Sequence, residues 1–226
     1  MTDCLAFKEE LPSWYSPDGG GRADEAHELN TVAHFAKSVE GWLSDSQGLA
    51  LYQMARSPVA GGVLEIGSFC GKSTSFIALG CKHSGAAFCT VDPHRPLSVG
   101  GKEQYGSDFQ PFAGDSLREL RGTLERTGLS AYATMLIATS KEARRHLTDL
   151  RLKLLFIDGS HDYEDVVSDY RMWHEMVVIG GRLVFHDSNF EGVNQAIQSE
   201  VDRDRYAHEG TVGEGGWAMT IWRRVR

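Results

Sequence analysis

Between residues 62 and 185 the chain returns repeatedly to short, unbroken apolar runs: Gly62–Gly67, Ala87–Val91, Ala133–Ala138, Leu152–Ile157 and Arg182–Phe185. These runs are continuous, not alternating, as expected of parallel strands covered on both faces by helices. Helical stretches separate them, over Lys72–Cys81, Asp115–Arg126, Lys141–Leu147 and Asp162–Val178. In the last, Tyr163, Val166, Val167, Tyr170, Trp173 and Val177 share one face, and Asp162, Glu164 and Asp165 suit the positive end of the helix. Strand and helix in repeated succession predict an α/β fold, a doubly wound, Rossmann-like sheet with right-handed crossovers. After the fifth run come a helix over Val193–Val201 and two strand-like runs, Tyr206–Val212 and Trp217–Arg223, around the hairpin-like turn Gly213-Glu214-Gly215-Gly216. The expected sheet is therefore seven-stranded, mostly parallel, and closed by a C-terminal antiparallel hairpin. A dinucleotide-binding sheet would normally continue with parallel strands.

Ahead of the sheet, 25–58 reads as a helical extension, with helices over His27–Val39 and Ser46–Arg56. The stretch SPDGGGRAD at 16–24 marks residues 1–24 as an arm expected to be flexible, so that 25–226 forms one domain. No apolar run approaches a membrane span, and the first residues lack the charge and apolar pattern of a signal peptide. Cys4, Cys70, Cys81 and Cys89 show no C-x-x-C pairing. A reduced, cytoplasmic protein is the expectation. The formal charge of -8, without a basic stripe, argues against nucleic acid as the partner, and no membrane partner is expected.

The turn after the first strand, Gly62-Val-Leu-Glu-Ile-Gly-Ser-Phe-Cys-Gly-Lys-Ser-Thr74, decides the ligand class. Its tail imitates a P-loop, but that motif needs a glycine five positions before Gly71, where Ile66 stands. The dinucleotide pattern G-x-G-x-x-G fails as well, because Ser68-Phe69-Cys70 separates Gly67 from Gly71. What remains is Glu65-x-Gly67-x-x-x-Gly71, with Asp92 ending the second strand 25 residues after Gly67. Glu65 disfavours phosphate and tolerates a cation. S-adenosylmethionine carries a sulfonium and an ammonium without any phosphate, and Asp92 is placed to accept its ribose hydroxyls.

From Val39 to Phe190 the chain resembles a class I S-adenosylmethionine-dependent O-methyltransferase. The resemblance is to the group of metal-dependent antibiotic-sugar methyltransferases and, more distantly, catechol O-methyltransferase. It is carried by VEGWLS (39–44), LEIGSFCGKST (64–74), TVDPH (90–94), FIDGSHDYEDVVSDYRMW (156–173) and GGRLVFHDS (180–188). It implies donor contacts from Glu65, Gly67, Ser68, Gly71, Ser73 and Asp92, with Asp158 bordering the donor. Thr139 and Ser140, with Ala138, lie where such a fold places the adenine. Lys72 is either a carboxylate partner or a solvated helix residue, and Trp42 either a cover for the donor or a core residue.

FIDGSHDYE and LVFHDS end neighbouring strands, so Asp158, His161, His186 and Asp187 are expected to converge at the carboxyl edge of the sheet. Two carboxylates and an imidazole can hold a divalent ion such as Mg²⁺ or Mn²⁺. The resemblance implies Asp158, His186 and Asp187 as metal ligands and His161 as general base. One departure stands out: relatives carry an acid at the position of His186. Metal-independent transfer, and a hydroxylation-associated or non-catalytic binding protein on this scaffold, stay open as alternatives. The implied partner is a small hydroxylated acceptor, a sugar, natural product or catechol-like molecule, and self-association into a homo-oligomer is compatible with the sequence. Residues 93–114 read as a mobile lid or substrate loop, with His94, Arg95 and Phe190 near the acceptor.

Overall fold

A computed structural model describes residues 7–95, 97–99, 102–104, 115–214 and 216–226. Its centre is a seven-stranded sheet built from β1 (Gly62–Ile66), β2 (Phe88–Val91), β5 (Thr134–Leu136), β6 (Leu152–Ile157), β7 (Val177–Phe185), β8 (Tyr206–Val212) and β9 (Met219–Arg224). Two short strands, β3 (Leu97–Val99) and β4 (Lys102–Gln104), pair separately. The order across the main sheet is β5-β2-β1-β6-β7-β9-β8. The first five of these in spatial order run parallel, and β9 joins β7 antiparallel. β8 and β9 form the expected antiparallel hairpin. The order reverses between β1 and β6, the place where open α/β sheets bind ligands beyond the carboxyl ends of their strands.

Continuous apolar strands follow from covering on both faces. On β6, Leu154 and Phe156 enter one core cluster while Leu155 and Ile157 enter the other, and all four are essentially inaccessible. The first layer holds α1 (Ala23–Ala36), α2 (Asp45–Arg56), α3 (Lys72–Ser84) and α4 (Ser116–Arg126). The second holds α5 (Ser140–Arg144), α6 (Tyr163–Trp173) and α7 (Glu191–Glu200). No helix among the described residues is long and apolar enough to cross a membrane.

One expected boundary is corrected. The helix expected over Asp162–Val178 closes at Trp173, a 3-10 turn covers His174–Met176, and Val177 begins β7. The β-branched run Val177-Val178-Ile179 favours extended backbone. Val177 pairs with Leu152, and the register shifts before Arg182 meets Leu154. Gly180, at φ +82, supplies the irregular backbone in between. The strand is thus longer at its start than the expected Arg182–Phe185.

Of the arm expected over 1–24, the described part lies against the domain. Glu10 and Thr211 exchange two backbone hydrogen bonds, each of 2.8 Å. The Ser16 N–H donates to the side-chain Oε1 of Gln53 on α2 at 3.1 Å, and Gln53 Nε2 donates to the Ser16 carbonyl. The lid expected within 93–114 falls largely outside the described residues, as does Cys4.

Candidate active site

The glycine turn is pinned from both sides. Gly67 has φ +90, and a Cβ there would lie 2.1 Å from the carbonyl oxygen of Asp158, so only glycine brings the end of β1 this close to the end of β6. Gly71, also at φ +90, starts α3. Between them the backbone N–H groups of Ser68 and Phe69 both donate to Asp92 Oδ2 at 2.9 Å. The His94 N–H donates to Oδ1 at 2.7 Å. Asp92 therefore holds the turn in shape while still facing the cavity beside it. A carboxylate has about four acceptor sites, so three bonds leave room for a hydroxyl.

Glu65 is placed differently from the expected donor contact. It is fully buried on β1 and is absent from the cavity lining among the described residues. Ser73 Oγ donates to its Oε1 at 2.6 Å and Thr74 Oγ1 to its Oε2 at 2.7 Å, tying the strand to the first turn of α3. Burial pushes its pKa up to about 7, against the lowering effect of those hydroxyls. Lys72 Nζ, the residue of the P-loop imitation, donates to the Gly41 carbonyl at 3.0 Å. That anchors the segment carrying Trp42, whose ring stacks on Phe69 at 5.8 Å and remains 41% exposed on the cavity rim. Trp42 is not a core residue.

The cavity has a volume of about 500 Å³ and runs from Trp42 past Gly67, Ser68 and Asp92 to Thr139 and Ser140. Asp158, His161, His186 and Asp187 line the same cavity. Thr139 caps α5 in a reciprocal pair with Glu142. Ser140 Oγ accepts from Trp173 Nε1 at 2.7 Å.

The strand ends bring Asp158, His161, His186 and Asp187 together, as their spacing predicts. Asp158 follows β6, and its N–H donates to the Ile66 carbonyl. His186 and Asp187 follow β7, with Asp187 in the left-handed region at φ +49. Such a conformation in a residue other than glycine costs about 1–3 kcal/mol and is held only by its surroundings. Here the Ser188 N–H bonds Ala218, and the Asn189 side chain bonds both Gly216 and Ala218. His161 Nε2 lies 2.9 Å from Asp187 Oδ2, and its ring packs on Phe190 at 4.6 Å. An ionised carboxylate only accepts, so Nε2 carries the proton and Nδ1 of a neutral His161 is the free base. Burial lowers the His161 pKa, but its hydrogen bond to Asp187 and the nearby charges raise it above the ordinary value overall. Asp187 is held well below the usual carboxylate range: His186 and His161 outweigh its own burial. Asp158 is raised by burial despite His186.

His186 sits between the two acids, its Nδ1 3.1 Å from Asp158 Oδ1 and 3.1 Å from Asp187 Oδ2. Its far nitrogen is matched to Gln47, a residue that the sequence did not single out. Gln47 Nε2 donates to the carbonyls of Val212 and Trp217, each at 3.3 Å, which orients Oε1 as the acceptor for His186 Nε2–H at 3.2 Å. The nitrogen facing the acids is therefore Nδ1.

A divalent ion fits this donor set. The ligand atoms of Asp158, His186 and Asp187 all lie within 4.8 Å of one another. His186 Nδ1 and Asp187 Oδ1 are buried without a directed hydrogen bond. An imidazole whose other N–H is held by an amide carbonyl is also the usual outer arrangement of a metal-bound histidine. Without an ion, burial alone would lower the His186 pKa, yet the charges of Asp158 and Asp187 raise it well above the ordinary value.

Known proteins share this fold. The family described as a methyltransferase domain matches residues 64–188, more than half of the chain. The chain belongs to that family. Its fold is shared by the O-methyltransferase NovP, at 14% identity and a TM-score of 0.67 over 90% of this chain and 98% of that one. The O-methyltransferase TomG of Streptomyces achromogenes, involved in tomaymycin synthesis and solved with S-adenosylmethionine, aligns at 14% identity and a TM-score of 0.63, covering 88% and 90% of the two chains. An O-methyltransferase of Bacillus cereus, solved with S-adenosylhomocysteine, gives 14% identity and a TM-score of 0.61, covering 94% and 99%. This methyltransferase-domain protein thus carries its glycine turn and its acid-histidine cluster side by side on the wall of one cavity.

Proposed function

We propose that the protein transfers a methyl group from S-adenosylmethionine to a hydroxyl oxygen of a small molecule, with His161 as general base. The observation that carries this reading is the His161–Asp187 pair facing the cavity whose other wall is the Gly67–Asp92 turn. TomG and the Bacillus cereus enzyme, which share the fold, hold the donor or its demethylated product. The acceptor hydroxyl approaches Nδ1 of His161, which takes its proton. Asp187 keeps the ring oriented and stabilises the imidazolium that results. The oxygen then attacks the methyl carbon in line, the carbon–sulfur bond breaks, and the sulfonium leaves as a neutral thioether. Cavity walls that hold both reactants contribute through orientation. Asp158, His186 and Asp187 would hold a divalent ion, Mg²⁺ or Mn²⁺, which when bound lowers the pKa of a coordinated hydroxyl. The acceptor class is a sugar, a natural product or a catechol-like molecule.

A second reading has its own support. With its pKa raised by two flanking acids, a His186 imidazolium itself occupies the position of a cation, and transfer then proceeds without a metal. Turnover in EDTA separates the two: its loss, restored by Mg²⁺ or Mn²⁺, supports the metal, and its persistence supports the imidazolium. His161→Ala is expected to lower turnover by about 10²–10⁴-fold with S-adenosylmethionine affinity nearly unchanged. A wild-type rate in that variant would remove His161 as the base.

A further inference from the structure

His94 follows Asp92 and Pro93 and precedes Arg95, all three of which line the cavity, yet its own side chain does not. The expectation that it meets the acceptor is therefore corrected: the imidazole is only 3% exposed. Its backbone stands in the left-handed region at φ +48, uncommon outside glycine and kept only where the surroundings hold it. That conformation secures one bond. Pro93 has no N–H, so the N–H of His94 is the first main-chain donor after Asp92, and it turns back to Asp92 Oδ1 at 2.7 Å. With Ser68 and Phe69 N–H on Oδ2, both oxygens of the carboxylate are fixed.

The imidazole braces the same turn from behind. Nδ1 lies 3.0 Å from Ser116 Oγ at the start of α4, and Nε2 lies 3.5 Å from Ser68 Oγ, a long hydrogen bond. Burial holds the His94 pKa below the ordinary value; Arg121 acts in the same direction, and Asp92 and Asp115 oppose it. A neutral imidazole offers one donor and one acceptor, one for each hydroxyl. Further along, α4 meets the turn again. Thr123 Oγ1 donates to the Cys70 carbonyl at 2.9 Å, and a Cβ on Gly71 would lie 2.7 Å from Leu120 Cδ1. A closed ring of contacts thus runs from Asp92 through Ser68 and Cys70 to Thr123, along α4 to Ser116, and back through His94. Of the residues in that ring, Asp92 and Ser68 line the cavity.

We propose that His94 is a positioning residue of the donor site, holding Asp92 and Ser68 at the angle from which they meet the ribose of an S-adenosyl ligand. The inference rests on the proposed S-adenosylmethionine reading. His94 touches no ligand itself; it acts through Asp92, whose carboxylate is set before the ligand arrives and need not be ordered by it.

The test is calorimetric binding of S-adenosylhomocysteine and of its analogue without the two ribose hydroxyls. Wild type, His94→Gly and Ser116→Ala are compared, each first shown to be folded by circular dichroism, with urea unfolding to follow stability separately. Glycine accepts the left-handed backbone and keeps the N–H on Asp92, so His94→Gly removes the imidazole alone. Wild type should lose affinity by about tenfold or more when the hydroxyls are removed. His94→Gly should bind S-adenosylhomocysteine about five- to tenfold more weakly than wild type, and its penalty for the missing hydroxyls should shrink by about threefold or more, because the ring and the ribose are coupled through Asp92. Ser116→Ala leaves the loop untouched, should show both effects in smaller measure, and decides the matter where His94→Gly does not fold. Wild-type affinity in the folded variants would overturn the inference, however much stability they had lost, as would an undiminished ribose penalty. Failure of wild type to bind S-adenosylhomocysteine would instead overturn the donor reading beneath it.

Discussion

Glu65→Gln separates a role in the fold from a role in ligand binding. The wild-type carboxyl is fully buried, with a pKa raised from 4.5 to about 7, chiefly by that burial. In the unfolded chain it ionises near the ordinary value. Because the folded-state pKa is the higher, the native state binds the proton more tightly. That contribution is fully present below about pH 4.5 and is lost as pH rises to about 7. The gap corresponds to about 3 kcal/mol overall, of which about 2–3 kcal/mol falls between pH 5 and pH 8. Glutamine carries no charge at either pH and keeps an acceptor for Ser73 or Thr74. The stability of Glu65→Gln relative to wild type should therefore rise by about 2–3 kcal/mol from pH 5 to pH 8, read from urea unfolding at both. S-adenosylmethionine affinity should change little, because Glu65 stands outside the cavity lining. Parallel pH profiles for the two proteins would refute the reasoning. A tenfold loss of donor affinity would return Glu65 to the ligand.

Gly67→Ala should cost at least about 3 kcal/mol or prevent folding, since the new methyl meets the Asp158 carbonyl at φ +90; Gly85→Ala, at φ +69 with nothing within 4 Å, should cost only about 1 kcal/mol in the same thermal melts. Gln47→Leu removes the acceptor of the His186 Nε2–H and of the Ser44 N–H, and the amide donor to the Val212 and Trp217 carbonyls. It should destabilise by about 3 kcal/mol in urea and weaken Mn²⁺ binding by about 10–100-fold in calorimetry. Since the His161 pKa is raised and its neutral form is the base, kcat/KM should climb with pH through an apparent pKa above 6.5; an acid limb at or below 6.5 would count against His161.

The strands themselves and the meeting of Asp158, His161, His186 and Asp187 were legible because both follow from short-range signals. Apolar runs mark strands, and residues just past neighbouring parallel strands must share one sheet edge. Glu65 was misplaced for a reason also present in the sequence. Side chains alternate along a strand, and Val63 enters the core layer of α3 while Leu64 and Ile66 enter the other. Glu65 therefore points beneath α3 to Ser73 and Thr74, not into the cavity that Gly67 and Asp92 line. Gln47 was out of reach, since 139 residues separate it from His186 and its local pattern signals only a helix cap.

The histidine at 186, where the resemblance leads one to expect an acid, is coherent with what surrounds it. An acid there would gather three carboxylates at the end of the cavity and leave Gln47 Oε1 facing no donor from β7. With histidine, Gln47 Oε1 has the Nε2–H it is oriented to accept, and the imidazolium offsets Asp158 and Asp187 when no ion is bound. The wild-type apoprotein should therefore be stable without divalent ions, whereas His186→Asp removes one positive charge and adds one negative. That variant should melt several degrees lower in EDTA and recover with Mg²⁺ or Mn²⁺, because an ion that binds only the folded state stabilises it by mass action. Wild type should shift much less under the same additions, since any ion must first displace the Nδ1 proton. Equal divalent-ion dependence of the two melting curves would show that His186 does not balance the charge of the site, and would leave the Gln47 pairing as a matter of packing alone.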